Sequence, residues 1–419
     1  LNILVIGKGA REHAITWKIA RSPRTKELFV APGNAGTARI ARNIAINVAD
    51  NEGLLNFARE NRIDLTVVGP EQPLANGIVD VFQAAGLAIF GPTRKAARIE
   101  SSKVFAKDLM QRHGIPCARS RTFSDIKEAK NYVRTQPSPV VVKADGLAEG
   151  KGVIIAGTVA EAEKALDDIM GARAFGEAGE KVVIEEHLTG REMSYFVFTD
   201  GRTIVPTVPA CDYKRVHDGD QGPNTGGMGS YSPPEFYNDL LGTIIMKTIM
   251  VPATLALADE ACPYRGTLYG GLMITNNTPR VIEFNARLGD PETQVVLPRL
   301  KTDLVEIMLA VLENRLDRMK IEFDSSACVG VVIASGGYPG KYRTGYPITG
   351  LEDLDKDIII FHAGTRLGEN SEALTAGGRV LTVVGMGKDL AEARTKVYKN
   401  ITRIRFEGCF YRKDIADIK

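Results

Sequence analysis

At 419 residues the chain is long enough for two to four domains, each with its own core, and too long for a single small fold. Its 44% hydrophobic and 25% charged residues are ordinary for soluble globular protein, and 53 Lys and Arg against 51 Asp and Glu leave no strong field for a nucleic-acid backbone or a membrane surface. Small-molecule chemistry is therefore the expectation. Cys117, Cys211, Cys262, Cys328 and Cys409 lie far apart with no CxxC pair, which predicts a reduced, cytoplasmic setting. The start LNILVIGKGAREH has no basic leader before an apolar run and no 18-residue apolar stretch is read anywhere, so neither export nor membrane spanning is expected.

In chain order, residues 2–6 read as a buried strand and 12–21 as a helix ending before Pro23. Strand and helix signals then alternate through FVAP, a helix near 52–61, DLTVVGP, a helix near 75–85, and AIFGP. That alternation predicts a doubly wound parallel α/β domain over residues 1–100, with Gly-rich turns after its strands. SSKVFAKDLMQRH, from Ser101 to His113, reads as a serine-capped helix stopped by Gly114 and Pro116, and opens a second domain over 101–319. Within it, 139–157 reads as strand, Gly loop, strand, and 181–208 as a meander with turns at Thr189-Gly190 and Asp200-Gly201. A helix near 238–260, a hairpin and a helix near 302–318 follow. From 320 to 419 the strands CVGVVIA, DIIIFHAG and VLTVVG and a helix near 389–400 predict a C-terminal mixed α/β domain. The fold class is thus α/β and α+β, multidomain.

The hairpin's second strand lies in PRVIEFNARLGDPETQ, residues 279–294. Alternation puts Glu283, Asn285 and Arg287 on one face and Ile282, Phe284 and Ala286 on the other. A carboxylate and an amide oxygen suit a hard cation such as Mg²⁺, which is usually shared between one or two protein oxygens and nucleotide phosphates; a guanidinium suits phosphate or carboxylate. The same pattern also fits the solvated face of an antiparallel strand.

In PVVVKADGLAEGKGVIIAG, Lys143 ends a strand, Gly146, Gly150 and Gly152 punctuate a loop, and Lys151 sits between the last two. Glycines let backbone N–H groups approach phosphate oxygens. A Walker A loop is excluded, since its spacing is absent and the next element is a strand. The loop is either a lid over a triphosphate or an ordinary hairpin. VVIEEHLTGREMSYF offers Glu185 and Glu186 at a strand end, His187 and Leu188 as a connector, and then Glu192. Such a connector can meet an adenine edge while a carboxylate takes ribose hydroxyls, or the acids are simply a solvated strand end.

Taken together, these segments resemble the ATP-grasp superfamily, in which ATP lies between two α+β lobes and drives formation of an acyl phosphate. The resemblance implies that Lys103, Lys143 and Lys151, with Gly150 and Gly152, face the phosphates, that the hinge Glu185, Glu186, His187 and Leu188 holds adenine, that Glu192 holds ribose, and that Glu283 and Asn285 hold Mg²⁺ or Mn²⁺. One departure is that LYGGLMIT lacks the further acidic metal ligand many members carry a dozen residues before the glutamate. RLGDPETQ, with VIGKGAREHA, APGNAGT, VGPEQPL, KADGLAEGKGV, GPNTGGMGSY and FYRKDI, is similar to the phosphoribosylamine-glycine ligase family, with blocks from residue 2 to 415. That resemblance implies an ATP-dependent ligase of purine biosynthesis joining glycine to 5-phosphoribosylamine through glycyl phosphate. Lys143, Lys151 and Arg287 would be catalytic. Gly9, Arg11, Glu12, Gly33, Asn34, Asp212, Lys214, Thr225, Gly226, Gly227, Arg287 and Asp290 would bind substrate, through N–H groups of the turns Gly7 to Gly9 and Gly33 to Gly36 and through the charged loop after Cys211.

Arg11 is equally a surface residue of a first helical turn, and 212–229 a mobile surface loop. The five histidines, at 13, 113, 187, 217 and 362, show no ligand spacing and read as structural or exposed. No nucleic-acid or membrane partner is expected, and the chain would act as a monomer or homodimer. A nicotinamide oxidoreductase is disfavoured because Glu12 replaces the third glycine of the dinucleotide fingerprint and no acid ends the second strand. A nucleotide sensor without turnover and a bicarbonate-using carboxylase remain the other readings, separable by glycine-dependent ADP release.

Overall fold

The structure, a computed structural model, describes residues 1–147, 152–172 and 176–418. The apolar runs near 2–6 and 65–68 leave no polar face for water, so they fold as central strands covered on both sides. Their sheet is parallel, in the order Arg42–Asn43, Glu27–Pro32, Asn2–Gly7, Leu65–Val68, Ile89–Phe90. The order reverses at Asn2–Gly7, so the turns after Gly7 and Val68 line the crevice at the strands' carboxyl ends, as expected for a doubly wound domain. The helix expected near 75–85 is two pieces, Glu71–Ala75 and Ile78–Ala84, parted by Gly77 at φ 79.

Helix Lys103–Arg112 starts at Ser102, whose Oγ accepts the Phe105 N–H at 3.1 Å. Beyond it lies an antiparallel sheet ordered Ser120–Phe123, Val182–Glu186, Val140–Ala144, Val153–Ala156, packed with helices Ile126–Val133 and Val159–Leu166 around Phe123, Val142, Leu166 and Ile184. A second antiparallel sheet is ordered Ile204–Pro206, Arg191–Thr199, Gly266–Thr275, Thr278–Asn285. The meander expected over 181–208 is therefore corrected. Val182–Glu186 and Arg191–Thr199 are each good strands, but they belong to different sheets, and residues 187–190 connect the two lobes.

Helix Asp239–Asp259 also departs from expectation. It holds a window of mean hydropathy 1.8, long and apolar enough by composition to cross a membrane. Half of that window is buried, and Ile245, Ile249, Met250, Ala253 and Leu257 join Tyr195, Leu268 and Phe284 in one core, so this is a core helix.

The C-terminal sheet is antiparallel, in the order Cys211–Asp212, Gly229–Ser232, Ala327–Ala334, Arg379–Gly387, Ile359–His362, with helix Leu390–Ile401 packed on it. Its first two strands come from the stretch for which a mobile surface loop was one reading. Between them Arg215–His217 pairs with Gln221–Asn224, so paired backbone replaces that alternative. Arg412, 1% exposed, fastens this hairpin through Asp220 and the Arg215 carbonyl, both at 2.9 Å.

Candidate active site

The strand Thr278–Asn285 carries the site, and its register is not a simple alternation. Gly271 faces Glu283 while Leu272 faces Val281, so Ile282 is the extra residue of a bulge. Val281, Phe284 and Ala286 are buried in the core, whereas Ile282 is only partly buried and borders, with Glu192, Asp212 and Lys214, a cavity of about 10 Å³. The expectation that Ile282 packs beside Phe284 is corrected by that bulge. A larger cavity of about 350 Å³ lies on the C-terminal domain by Lys341, Arg343 and Tyr346. Convergence of charge, not volume, places the site at Glu283.

Burial pushes the Glu283 carboxyl up, but Lys214, Lys143, Lys103 and Arg287 together outweigh it and hold the carboxyl below its usual range. These cations come from four separate segments. Lys143 is 3% exposed, with Nζ 3.0 Å from Glu185 Oε2 and donating to the Ile282 carbonyl at 3.1 Å. Lys103 donates to the Gly146 carbonyl at 2.9 Å, and burial lowers its pKa. Lys214 Nζ sits 2.6 Å from Glu192 Oε2; burial lowers its pKa, but Glu192, Glu283 and Asp212 raise it further than burial lowers it.

Glu185 is no solvated strand end. It is 3% exposed, and its second oxygen lies 3.1 Å from Lys107 Nζ. Glu186 receives the Arg119 N–H and Nε, both at 2.9 Å, and Arg280 at 3.1 Å, which ties the connector His187 and Leu188 to both lobes. Gly152 precedes strand Val153–Ala156, while Gly150 and Lys151 lie outside the described residues.

Arg287 is engaged on both sides, 2.9 Å from Glu100 and 3.3 Å from Glu71, and reaches Asn285 Oδ1 at 3.4 Å. Burial raises the Glu71 carboxyl, but Arg287 and Arg11 overcome it and bring Glu71 down to about 2. At Glu100 burial outweighs the attraction of Arg287 and lifts the acid to about 7. Arg11 is buried, only 6% exposed, and not a surface residue, with Nε 2.6 Å from Glu12. Glu12 in turn accepts the Gly9 N–H at 2.6 Å, and a Cβ on Gly7 or Gly69 would collide with its side chain. The other turn is also bonded internally: the Gly33 N–H to the Gly7 carbonyl at 3.1 Å, the Asn34 N–H to Thr37 Oγ1 at 2.8 Å, and the Gly36 N–H to Asn34 Oδ1 at 2.8 Å. These N–H groups are thus not free for an anion; the turn also binds the C-terminal domain, since Asn34 Nδ2 donates to the His362 carbonyl at 2.8 Å. His13 and His362 are buried and structural, held down to about 3 and about 4 chiefly by burial.

On the far side, Asp290 meets Arg379 at 3.0 Å, and Arg379 also donates to the Gly226 carbonyl. Burial raises Asp290, and Arg379 and Arg11 outweigh that and hold it low. Thr225 Oγ1 donates to the Lys214 carbonyl at 2.8 Å and accepts the Gly227 N–H at 3.0 Å. Gly227, at φ 104, packs where a Cβ would strike Pro291 and crowd Asp212. Asp212 is pushed up well above its usual range by burial and by Glu292, and its Oδ1 has no partner.

Lys107, Arg379, Glu71 and Glu100 were missed in the sequence. Lys107 had a signal, four residues after Lys103 on one helical face; the others read as ordinary charged ends of helices and strands.

For a cation the residues fit a shared ion. Glu283 and Asn285 supply two hard oxygens, Gly266–Thr275 adds no acid, and among the described residues no three His, Cys, Asp or Glu side chains converge on a metal position.

Two α+β lobes joined by a short connector, with lysines from both turned to a carboxylate–amide strand, define an ATP-grasp protein. Solved structures agree on the fold: the biotin carboxylase domain of a Hydrogenobacter thermophilus 2-oxoglutarate carboxylase, determined with MgADP, superposes with a TM-score of 0.75 at 14% identity, covering 98% of this chain and 91% of its own. The chain belongs to the phosphoribosylglycinamide synthetase family, whose N domain matches residues 1–100, ATP-grasp (A) domain 101–293 and C domain 328–418. Phosphoribosylamine-glycine ligases of Escherichia coli O157:H7 and Halalkalibacterium halodurans are each 50% identical, over 99% of this chain and 98% and 96% of theirs. The crystal structure of the Thermotoga maritima phosphoribosylamine-glycine ligase matches at a TM-score of 0.88 and 34% identity, covering 99% of this chain and all of that one.

Proposed function

We infer that the site activates the carboxylate of glycine as glycyl phosphate and passes the glycyl group to an amine. The activity is the ATP-dependent ligation of glycine to 5-phosphoribosylamine, giving glycinamide ribonucleotide, ADP and phosphate in purine biosynthesis. One observation carries the mechanism: four cations from four segments act together on one carboxylate, Glu283, and hold it charged, with no nucleophile among the described residues that act on it. Such a site positions phosphates and neutralises their charge.

A carboxylate is a poor electrophile because its leaving group would be oxide. Attack on the γ-phosphorus of ATP converts that oxygen into part of a phosphate, and the amine of 5-phosphoribosylamine then displaces it. Lys103, Lys143 and Lys151, with the glycines Gly150 and Gly152, hold the phosphates in line. Glu186, His187 and Leu188 present the hinge to adenine, Glu185 orders the lysines, and Glu192 takes ribose. Glu283 and Asn285 would hold Mg²⁺ or Mn²⁺, which supplies charge neutralisation on the phosphates. Arg287 keeps its charge beside Asn285 and steadies the transferring group. Asp212 and Lys214, with Thr225, Gly226, Gly227 and Asp290, hold the acceptor side against glycine. Gly9, Arg11, Glu12, Gly33 and Asn34 line the crevice for 5-phosphoribosylamine, by side chains and shape rather than by the bonded N–H groups. A cytoplasmic setting accords with this reading, as do five free cysteines; of the division into 1–100, 101–319 and 320–419, the second part lends strands Cys211–Asp212 and Gly229–Ser232 to the sheet of the third.

Glycine labelled with ¹⁸O in its carboxylate tests the chemistry. One label is expected in inorganic phosphate for each ribonucleotide formed. Unlabelled phosphate under full turnover overturns the acyl phosphate, even if ATP and glycine both bind.

A further inference from the structure

Helix Lys103–Arg112 places Lys103 and Lys107 one turn apart, and it packs on both Val182–Glu186 and Thr278–Asn285. Lys103 reaches the loop after strand Val140–Ala144. Lys107 instead meets Glu185 Oε1 at 3.1 Å, while Lys143 takes Oε2 at 3.0 Å. All three groups are at most 4% exposed. One carboxylate therefore stands between two ammonium groups, and the buried trio carries a net charge of +1.

A stable fold does not require that excess. A single Lys–Glu pair would already be neutral, and each further buried ion adds a desolvation cost. Burial indeed pulls Lys107 below the usual lysine range, with Glu185 opposing it. Among the described residues neither Lys107 Nζ nor Glu185 Oε1 completes a well-directed hydrogen bond, so charge rather than bonding geometry holds them 3.1 Å apart. The excess makes sense against an anion. Paired with Glu185 alone, Lys143 would offer a phosphate little net attraction; with Glu185 divided between two lysines, most of its charge remains available.

We propose that Lys107 is a positioning residue for the nucleotide: it occupies half of Glu185 and so leaves Lys143 both aimed and positively charged toward the phosphates. This rests on the nucleotide reading of the site. Lys107 touches no reacting atom and acts through Glu185 and Lys143.

The sum of charge, rather than any one residue, is what the proposal makes decisive, and four proteins test it by calorimetric titration with MgATP without turnover. The wild-type trio sums to +1, Lys107→Met to zero, Glu185→Gln to +2, and the double variant to +1 again. Lys107→Met is expected to weaken binding about tenfold, the scale of one charge lost at short range in a partly screened site. The double variant restores the charge but lacks the carboxylate that orders Lys143, and is expected to recover part of that loss and so to bind more tightly than Lys107→Met. Thermal unfolding and circular dichroism verify the fold, and Lys107→Gln serves as the neutral variant if methionine does not fold. Wild-type affinity in Lys107→Met, or a double variant that binds as weakly as Lys107→Met, overturns the proposal. Failure of the wild type itself to bind MgATP would instead defeat the nucleotide reading beneath it.

Discussion

Two buried charge clusters meet at the end of strand Thr278–Asn285, and they are built on opposite principles. Around Arg287 every guanidinium faces acid: Glu71 and Glu100 grip it from two sides, and Arg11 shares Glu71 and holds Glu12. Around Lys143 the arrangement reverses, with Lys107 and Lys143 sharing the single carboxylate of Glu185. The first cluster is matched within the protein and ties the N-terminal domain, helix Arg94–Ser101 and the metal strand into one frame. The second leaves charge unmatched, and unmatched buried charge is what an incoming polyphosphate recognises. Breaking the first should therefore show in stability, and in rate only through Arg287 itself, whereas breaking the second should show in ligand binding and rate without a large loss of stability.

The largest effect is expected at Glu283→Gln, which keeps shape and removes the charge that would hold a divalent ion. Turnover at saturating substrate should fall roughly a hundredfold or more, with little change in circular dichroism. Near-normal rates at high Mg²⁺ would make Glu283 a plain strand residue. Next comes Arg287→Met, which strands Glu71 and Glu100 without their partner. Denaturant unfolding should show a loss of about 3–5 kcal/mol; a variant as stable as the parent would erase the distinction between the clusters. Lys214→Met tests the open side. Its pair with Glu192 is partly exposed, so stability should move by less than about 1 kcal/mol, while the KM for glycine should rise about tenfold, on the scale of one hydrogen bond to a charged group. An unchanged KM would remove Lys214 from the substrate side.

The smallest effect concerns pH. Glu100 is raised to about 7 from an ordinary value of 4.5, so the folded state binds the extra proton, and its contribution to stability is full below 4.5 and lost as pH rises through 7. Glu100→Gln should match the parent near pH 4.5 and gain on it by pH 8, seen as a growing difference in thermal midpoint. Glu71, lowered to about 2, works in the opposite sense and weakens the protein only as pH falls from 4.5 toward 2. A constant difference between variant and parent across pH 4.5–8 would show that Glu100 stays charged throughout.

Much of this site was legible because it is written locally. Ser102 before an apolar-periodic run signals a capped helix, and Lys143 at a strand end before a Gly loop signals a hairpin, with its phosphate role left open by the pattern alone. The order of Lys103, Lys143, Glu192 and Glu283 along the chain carried the resemblance to ATP-grasp proteins, and that resemblance implied the two lobes and a metal role for the last strand. What stayed hidden depends on pairing between distant segments. The bulge at Ile282 arises from how Gly271 and Leu272 register against it, which alternation along one strand does not encode. Arg379 opens an ordinary strand, and only the sheet order carries it to Asp290. The internal bonding of Gly9 and Gly33 likewise comes from Glu12 and Gly7 folding back on them, so glycine-rich sequence alone overstated a free anion cradle.

The strands Cys211–Asp212 and Gly229–Ser232 bear on how the protein can be made and cut. They complete a sheet whose other members begin near residue 327, with Gly229–Ser232 covering the edge of Ala327–Ala334, a strand of eight buried residues. A fragment starting at residue 320 would expose that apolar edge to pairing with other chains, and the natural remedy for expressing it would be to supply residues 210–232 in trans or by permutation. On the ribosome the same pairing means that a segment made midway through synthesis waits about a hundred residues for its neighbour. A chaperone-dependent interval before the last domain emerges is the expected biosynthetic signature of this sheet.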